Sequence, residues 1–188
     1  GPFNLLGAAY VVTDKGEAPS DKDFIVPAYD GDPAVDVWRN ERAAPRLALV
    51  GAVRVVPDDA AAYEALRAPD WDPTAEIVLT AAEAERVGAD APPPVPRGMR
   101  LAGASGLGAD VGADDPADAA GATEAPGGSA AIRRYGTDAV TLVVHPERPA
   151  WALLTDVHHP GWKAAVNGAR APIARADFAF RAVRVGAG

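Results

Sequence analysis

The chain has 188 residues, a net charge of −8, a pI near 4.8 and no cysteine. The length suits one domain with or without a tail. The acidic balance speaks against a phosphate-backbone surface, which needs clustered Lys and Arg, and the missing cysteines remove disulfides, thiolate metal sites and a Cys nucleophile.

Apolar residues make up 48%, many of them Ala, with four Trp, four Tyr, four Phe and one Met. Each aromatic must therefore carry a large share of a modest core. No apolar run approaches the ~20 residues that cross a bilayer, and no signal peptide is evident. The chain opens at Gly1-Pro2 and stops at Gly186-Ala-Gly188, in both places beside a strand-like run, as a piece cut from something larger would.

Residues 5–12 are short, apolar and β-branched at their end, and read as a buried strand. Thr13 to Gly16 is a turn. Residues 24–26 and 35–38 read as strands separated by the Asp30-Gly-Asp-Pro33 turn cluster. Residues 46–50 and 52–56 read as one longer strand bent at Gly51.

Asp58 is placed to cap a helix whose first turn carries Asp59. Tyr63 and Leu66, three apart, predict the face docked on a sheet. Arg67 suits the last turn and Pro69 the stop. Asp70 to Pro73 is a turn and residues 76–79 a strand.

Residues 81–129 change character, being Ala, Gly, Pro, Asp and Glu with few large apolar side chains. Such a stretch buries too little surface to offset its ordering entropy, and is expected to be a flexible, disordered insertion. Met99 and Leu101 are the residues able to pin a short piece of it.

Order returns at residues 131–135. In residues 139–144, Val140, Leu142 and Val144 share one face of a strand. Residues 151–154 follow, then 162–166, then Asn167-Gly168, which offers the positive-φ pair of a tight hairpin, and then 171–175 and 178–185. About five closely spaced strands after the insertion point to an antiparallel sandwich. The expected fold is mostly β (α+β): an antiparallel β-sandwich with one short helix. Residues 1–80 supply strands plus the helix, 81–129 the insertion, and 130–188 the remaining strands of the same domain.

Each candidate for chemistry has a structural competitor. His158-His159 could ligate zinc or copper, but adjacent strand residues point to opposite faces, so packing ahead of the Pro160-Gly161 turn is the better reading. The acid pairs Asp30/Asp32, Asp58/Asp59, Asp70/Asp72 and Asp114/Asp115 all suit turns or caps. Gly103-Ala-Ser-Gly-Leu-Gly108 lacks the Lys-Ser/Thr of a phosphate loop. Ser20, Ser105 and Ser129 lack a nucleophile elbow. No catalytic residue, cofactor or metal site is assigned. Trp151, Trp162, Phe178 and Phe180 could form an aromatic platform for sugar or simply fill the core. Asp156 and Asp177 are the acids best placed, near strand ends. Trp151, Trp162, Asp156 and Asp177 are therefore the candidate glycan contacts.

Three blocks resemble the extracytoplasmic C-terminal domain of YfhO-type bacterial membrane proteins. The first is Leu5-Leu-Gly-Ala-Ala-Tyr-Val-Val-Thr13. The second is Trp38-Arg-Asn-Glu-Arg-Ala-Ala-Pro-Arg-Leu-Ala-Leu-Val50, continuing through Val55-Val-Pro-Asp58 and Leu66-Arg-Ala-Pro-Asp-Trp-Asp-Pro73 to Ile77-Val-Leu79. The third is Asp156-Val-His-His-Pro-Gly-Trp-Lys-Ala-Ala-Val-Asn-Gly168 with residues 171–185. The blocks cover most of the chain outside the insertion. Where that family has aromatic residues, this chain has His158-His159.

The resemblance implies a polytopic bacterial membrane protein of the glycosyltransferase-C type, active on cell-envelope polymers. This chain would then be a soluble accessory domain on the extracytoplasmic face, which positions the acceptor or braces the membrane part. The family's catalytic acids lie in a loop of the membrane part, so no catalytic residue carries over. The expected partners are the transmembrane part of the parent protein and a cell-envelope glycan or polymer, with no nucleic acid. The alternatives are a free-standing carbohydrate-binding β-sandwich and a ligand-free structural or interaction domain.

Overall fold

The computed structural model describes residues 2–19, 25–89, 99–102, 123–125 and 127–188. The chain is mostly β, and it separates into two compact units, residues 1–45 and 46–188. No helix among the described residues is long and apolar enough to cross a membrane.

The first unit is a short helix α1 (Pro2–Leu5) and three strands, β1 (Tyr10–Asp14), β2 (Ile25–Tyr29) and β3 (Val35–Asn40), in the antiparallel order β1-β3-β2. The expected buried strand over residues 5–12 forms only in its second half, from Tyr10, and is not buried. Gly7 takes φ 66 and closes the helical turn with an N–H bond to the Asn4 carbonyl at 3.0 Å, so pairing starts only at Tyr10. Polar contacts hold the unit. The Asn40 side chain is buried, and its amide donates to Asn4 Oδ1 at 2.9 Å and to the Ala8 carbonyl at 3.0 Å. The Trp38 indole donates to Thr13 Oγ1 at 2.9 Å, and Lys15 pairs with Asp36 at 2.8 Å.

The second unit is a sandwich. One sheet has six strands in the order β13-β12-β7-β10-β9-β8: β7 (Met99–Ala102), β8 (Thr123–Ala125), β9 (Gly128–Tyr135), β10 (Ala139–Pro146), β12 (Lys163–Val166) and β13 (Ala169–Ala171). The other has four in the order β14-β15-β11-β4: β4 (Leu47–Val50), β11 (Ala150–Val157), β14 (Ala174–Ala176) and β15 (Phe180–Val185). All pairings within these two sheets are antiparallel. Their inner faces share one core. Met99, Leu101, Ile132, Val140, Leu142, Val144, Ala164 and Val166 meet Leu47, Leu49, Ala152, Leu154, Val183 and Val185. The alternation of Val140, Leu142 and Val144 does what period-two spacing requires.

A parallel pair completes the unit: β5 (Ala52–Val56) and β6 (Glu76–Thr80), joined by α2 (Asp59–Arg67). Gly51 therefore does not bend one strand. It divides residues 46–56 between two sheets, β4 pairing with β11 and β5 with β6. Asp58 caps α2 as expected, its Oδ1 accepting from the Ala61 N–H at 2.9 Å. The docked residue of α2 is Ala62, with Leu66 half-buried one turn further on. Tyr63 is 50% exposed and meets the Phe178 ring edge-on instead. The small side chain lets the helix approach closely, which the larger ring would prevent.

Part of the expected insertion is ordered. Residues 81–87 form a further helix, α3 (Ala81–Val87), capped by Thr80 and ended by Gly88 at φ 62. Met99 and Leu101 lie deep in the core on β7, between β12 and β10. Two large apolar side chains at alternate positions were enough to recruit a strand from an otherwise weak stretch. Residues 20–24, 90–98, 103–122 and 126 lie outside the described residues, and with them the Gly103–Gly108 motif, Asp114/Asp115, Ser20 and Ser105.

Two hairpins finish the chain. Asn167 and Gly168 at φ 52 and 80 close β12 onto β13 as a two-residue turn. Asp177 and Phe178 at φ 49 and 69 begin the turn from β14 to β15, a strained conformation for a phenylalanine.

Candidate functional site at the end of the sandwich

At one end of the second unit the two inner faces part, leaving a cleft of about 360 Å³ lined by Tyr135, Thr137, Val140, Asp156, Trp162 and Arg181. The register places these residues. Arg181 is opposite Leu154, so it continues the inward row of Val183 and Val185. Asp156 follows Ala152 and Leu154 past an irregularity in the pairing of β11 with β15. Tyr135 closes β9 opposite Val140.

Asp156 is the hub. Its Oδ1 accepts from Arg46 Nη1 at 2.7 Å, and its Oδ2 accepts from Tyr135 Oη at 2.8 Å and from Arg181 Nη2 at 2.7 Å. Arg46 also donates to Tyr135 Oη at 2.9 Å and sits 5.1 Å from its ring centroid. Burial, and with it the hydrogen bond to Asp156, pushes the Tyr135 phenol above its ordinary pKa, so it remains a neutral donor.

Arg181 is only 4% exposed. Its guanidinium lies 4.0 Å from the centre of the Trp162 ring, a cation–π stack that shields one face of each group from water. Burial lowers its pKa against the opposing pull of Asp156, yet an arginine keeps its charge in either case. Its Nε and Nη1 have no acceptor among the described residues. Both atoms are closed off from solvent, so Arg181 shapes the cleft as a buried charge stacked on Trp162 and bonded to Asp156 rather than by offering open donors.

Of the four candidate glycan contacts, the structure brings together Asp156 and Trp162. It does not bring Trp151 or Asp177 to them. Trp151 is buried in β11 between Val50 of β4 and Arg184 of β15. Asp177 is 1% exposed, and its Oδ1 accepts from the Val78 N–H at 2.7 Å while its own N–H donates to the Val78 carbonyl at 2.9 Å. That two-point bridge ties β6 to the β14–β15 turn. Burial raises the Asp177 carboxyl to a pKa of about 7.

His158 is half-buried. His159 is exposed, and its Nδ1 accepts from the Gly161 N–H at 3.0 Å, shaping the turn. No group of three or more His, Cys, Asp or Glu able to hold a metal occurs among the described residues. Phe178 is exposed and Phe180 buried, so the two do not form one platform.

Arg46, Tyr135 and Arg181 were not among the sequence candidates. Arg181 carries a readable signal, since of the two arginines of β15 it is the one in period-two step with Val183 and Val185, where an inward arginine needs a partner acid. Tyr135 and Arg46 stand at strand ends far away in sequence, and only pairing brings them in. No family model, no curated protein and no solved structure matches the chain.

Proposed function

We propose that the chain is an extracytoplasmic accessory domain of a polytopic membrane protein of the envelope-glycosyltransferase kind, and that it positions a glycan or polymer acceptor. The observation that carries the binding part of this reading is the cleft at Asp156. A carboxylate, a phenol, a guanidinium and an indole converge there. That donor and acceptor mix suits a saccharide, whose hydroxyls give and take hydrogen bonds while its C–H faces pack on aromatic rings. The domain supplies no reacting group in this reading. It lowers the barrier of another centre's reaction by holding the acceptor in place.

The isolated chain, titrated by NMR with neutral oligosaccharides, is expected to show saturable shifts at Tyr135, Thr137 and Trp162. Tyr135→Phe removes one hydroxyl at an exposed position and should weaken binding by about three- to tenfold, the worth of one net hydrogen bond. Absence of shifts at the cleft across the panel would sink the binding role. The positioning role needs the parent protein. Deleting residues 1–188 from it should abolish or misdirect glycan transfer while the membrane part still accumulates, and normal transfer would count for a ligand-free structural domain.

A further inference from the structure

Trp162 walls a second cleft, of about 440 Å³, on the flank of the same unit. Its charged lining comes from four elements: Glu83 and Arg86 of α3, Lys163 of β12, Arg170 of β13 and Arg175 of β14. Ile173 is a buried apolar part of the lining, and His158 completes one side.

Three of the five charges are already committed. Glu83 pairs with Arg86 and accepts the Arg175 N–H at 2.8 Å. Burial alone would raise the Glu83 carboxyl, but the bonds from Arg86 and Arg175 outweigh it and hold the pKa below the usual range. The Arg175 guanidinium pairs with Asp59 at 2.6 Å and donates to the Phe178 carbonyl at 3.1 Å. Lys163 and Arg170 remain, and neither side chain has an ion pair or hydrogen bond among the described residues.

Their placement gathers positive charge. Ala165 pairs with Arg170 across the β12–β13 hairpin, so Lys163, two residues earlier, projects from the same face as Arg170, opposite to buried Ala164 and Val166. Diagonal like charges on one hairpin face repel. The chain has 26 Asp and Glu against 18 Lys and Arg, yet among the described residues the only acid lining this cleft is Glu83, which Arg86 neutralises. Two uncommitted cations beside an indole and an imidazole, in a concave site on an acidic protein, make a local field opposite in sign to that of the whole molecule.

We infer that this flank cleft binds the anionic group of a ligand, a carboxylate or a phosphate, held between Lys163 and Arg170. Trp162 lines both clefts and so stands between this anion site and the cleft at Asp156. Taking that ligand to be an anionic saccharide rests on the glycan reading above; the anion site does not.

The test is an NMR titration of the whole chain with sodium phosphate, sodium glucuronate and methyl glucoside, against sodium chloride at equal ionic strength. Phosphate or glucuronate should shift the Lys163, Arg170 and Ala171 amides saturably where chloride does not, and whichever binds tighter names the anion. Lys163→Gln combined with Arg170→Gln, both at exposed positions, should weaken that binding by at least about tenfold, as the loss of two charge-assisted contacts requires, with the core signals of Leu142 and Val144 unmoved. Shifts no larger than those from chloride, or an unchanged titration in the double variant, would overturn the anion site. Methyl glucoside reports on the other cleft. If it leaves Tyr135 and Thr137 unmoved while phosphate binds, the anion site stands and the glycan reading falls.

Discussion

The two units are built by opposite means. In residues 46–188 two sheets bury one another's inner faces, and most of the buried aliphatic side chains fall in a single cluster. In residues 1–45 only Ile25, among the described residues, joins the buried hydrophobic set, while Tyr10, Val12 and Tyr29 lie open on the sheet. What holds that unit is the Asn40 hub, the Trp38–Thr13 bond and the Lys15–Asp36 pair. Apolar burial is worth roughly 25 cal/mol per Å² and does not depend on direction, whereas a hydrogen bond nets about 1 kcal/mol and only in correct geometry. The sandwich should therefore resist unfolding, and the small unit should open first.

The largest test of that contrast is Leu142→Ala. The side chain is fully buried between the sheets, so its loss should cost about 2–5 kcal/mol, read as a fall in the main thermal transition. A cost below about 1 kcal/mol would mean that the core is loosely packed.

Asp177 is the exception inside the apolar unit, and pH exposes it. Its folded pKa of about 7 lies above the ordinary 3.8. The folded chain thus keeps a proton that the unfolded chain has released, and stability falls as pH rises from about 4 to 7. The full penalty, as much as about 4 kcal/mol, is in place above pH 7. Asp177→Asn keeps the acceptor for Val78 and suits positive φ. It should stabilise the protein at pH 8, have little effect at pH 4 and flatten the stability profile between them. A profile just as steep in the variant would assign the slope to another group.

Asn40→Ala strikes the polar unit at its hub. It leaves the Arg42 N–H and the Asn4 side chain without their Asn40 partner, which should cost about 1–3 kcal/mol. Hydrogen exchange should quicken in β1 and β3 while β10 and β11 stay protected. Equal loosening of both regions would show that the units do not unfold separately. Val12→Thr is the smallest change, at a 61% exposed position, and should move stability by no more than about 0.5 kcal/mol. A larger cost would mean that this face is covered in solution.

Local rules reached far into this chain. The Asp58 cap, the Asn167-Gly168 turn and the Val140, Leu142 and Val144 row depend on neighbours one to four residues away, and all were readable. Asp156 and Trp162 were readable as well, as an acid near a strand end and an indole after a turn. The misreadings share a cause. Residues 5–9 lost their part of the expected strand at a positive-φ glycine, and residues 46–56 were divided because each half found a different partner strand.

The amino-acid sequence by itself determined the mostly β character, the helix at residues 59–67 and the closing hairpin, because hydrophobic period, capping and turn chemistry act over a few residues. Tertiary structure alone decided which strands share a sheet, that the strand of Met99 and Leu101 inserts between β12 and β10, and that Arg46, Tyr135 and Arg181 converge on Asp156 across separations of up to 110 residues. Those outcomes depend on which distant surfaces bury one another, and burial is non-directional, so no local pattern encodes the partner.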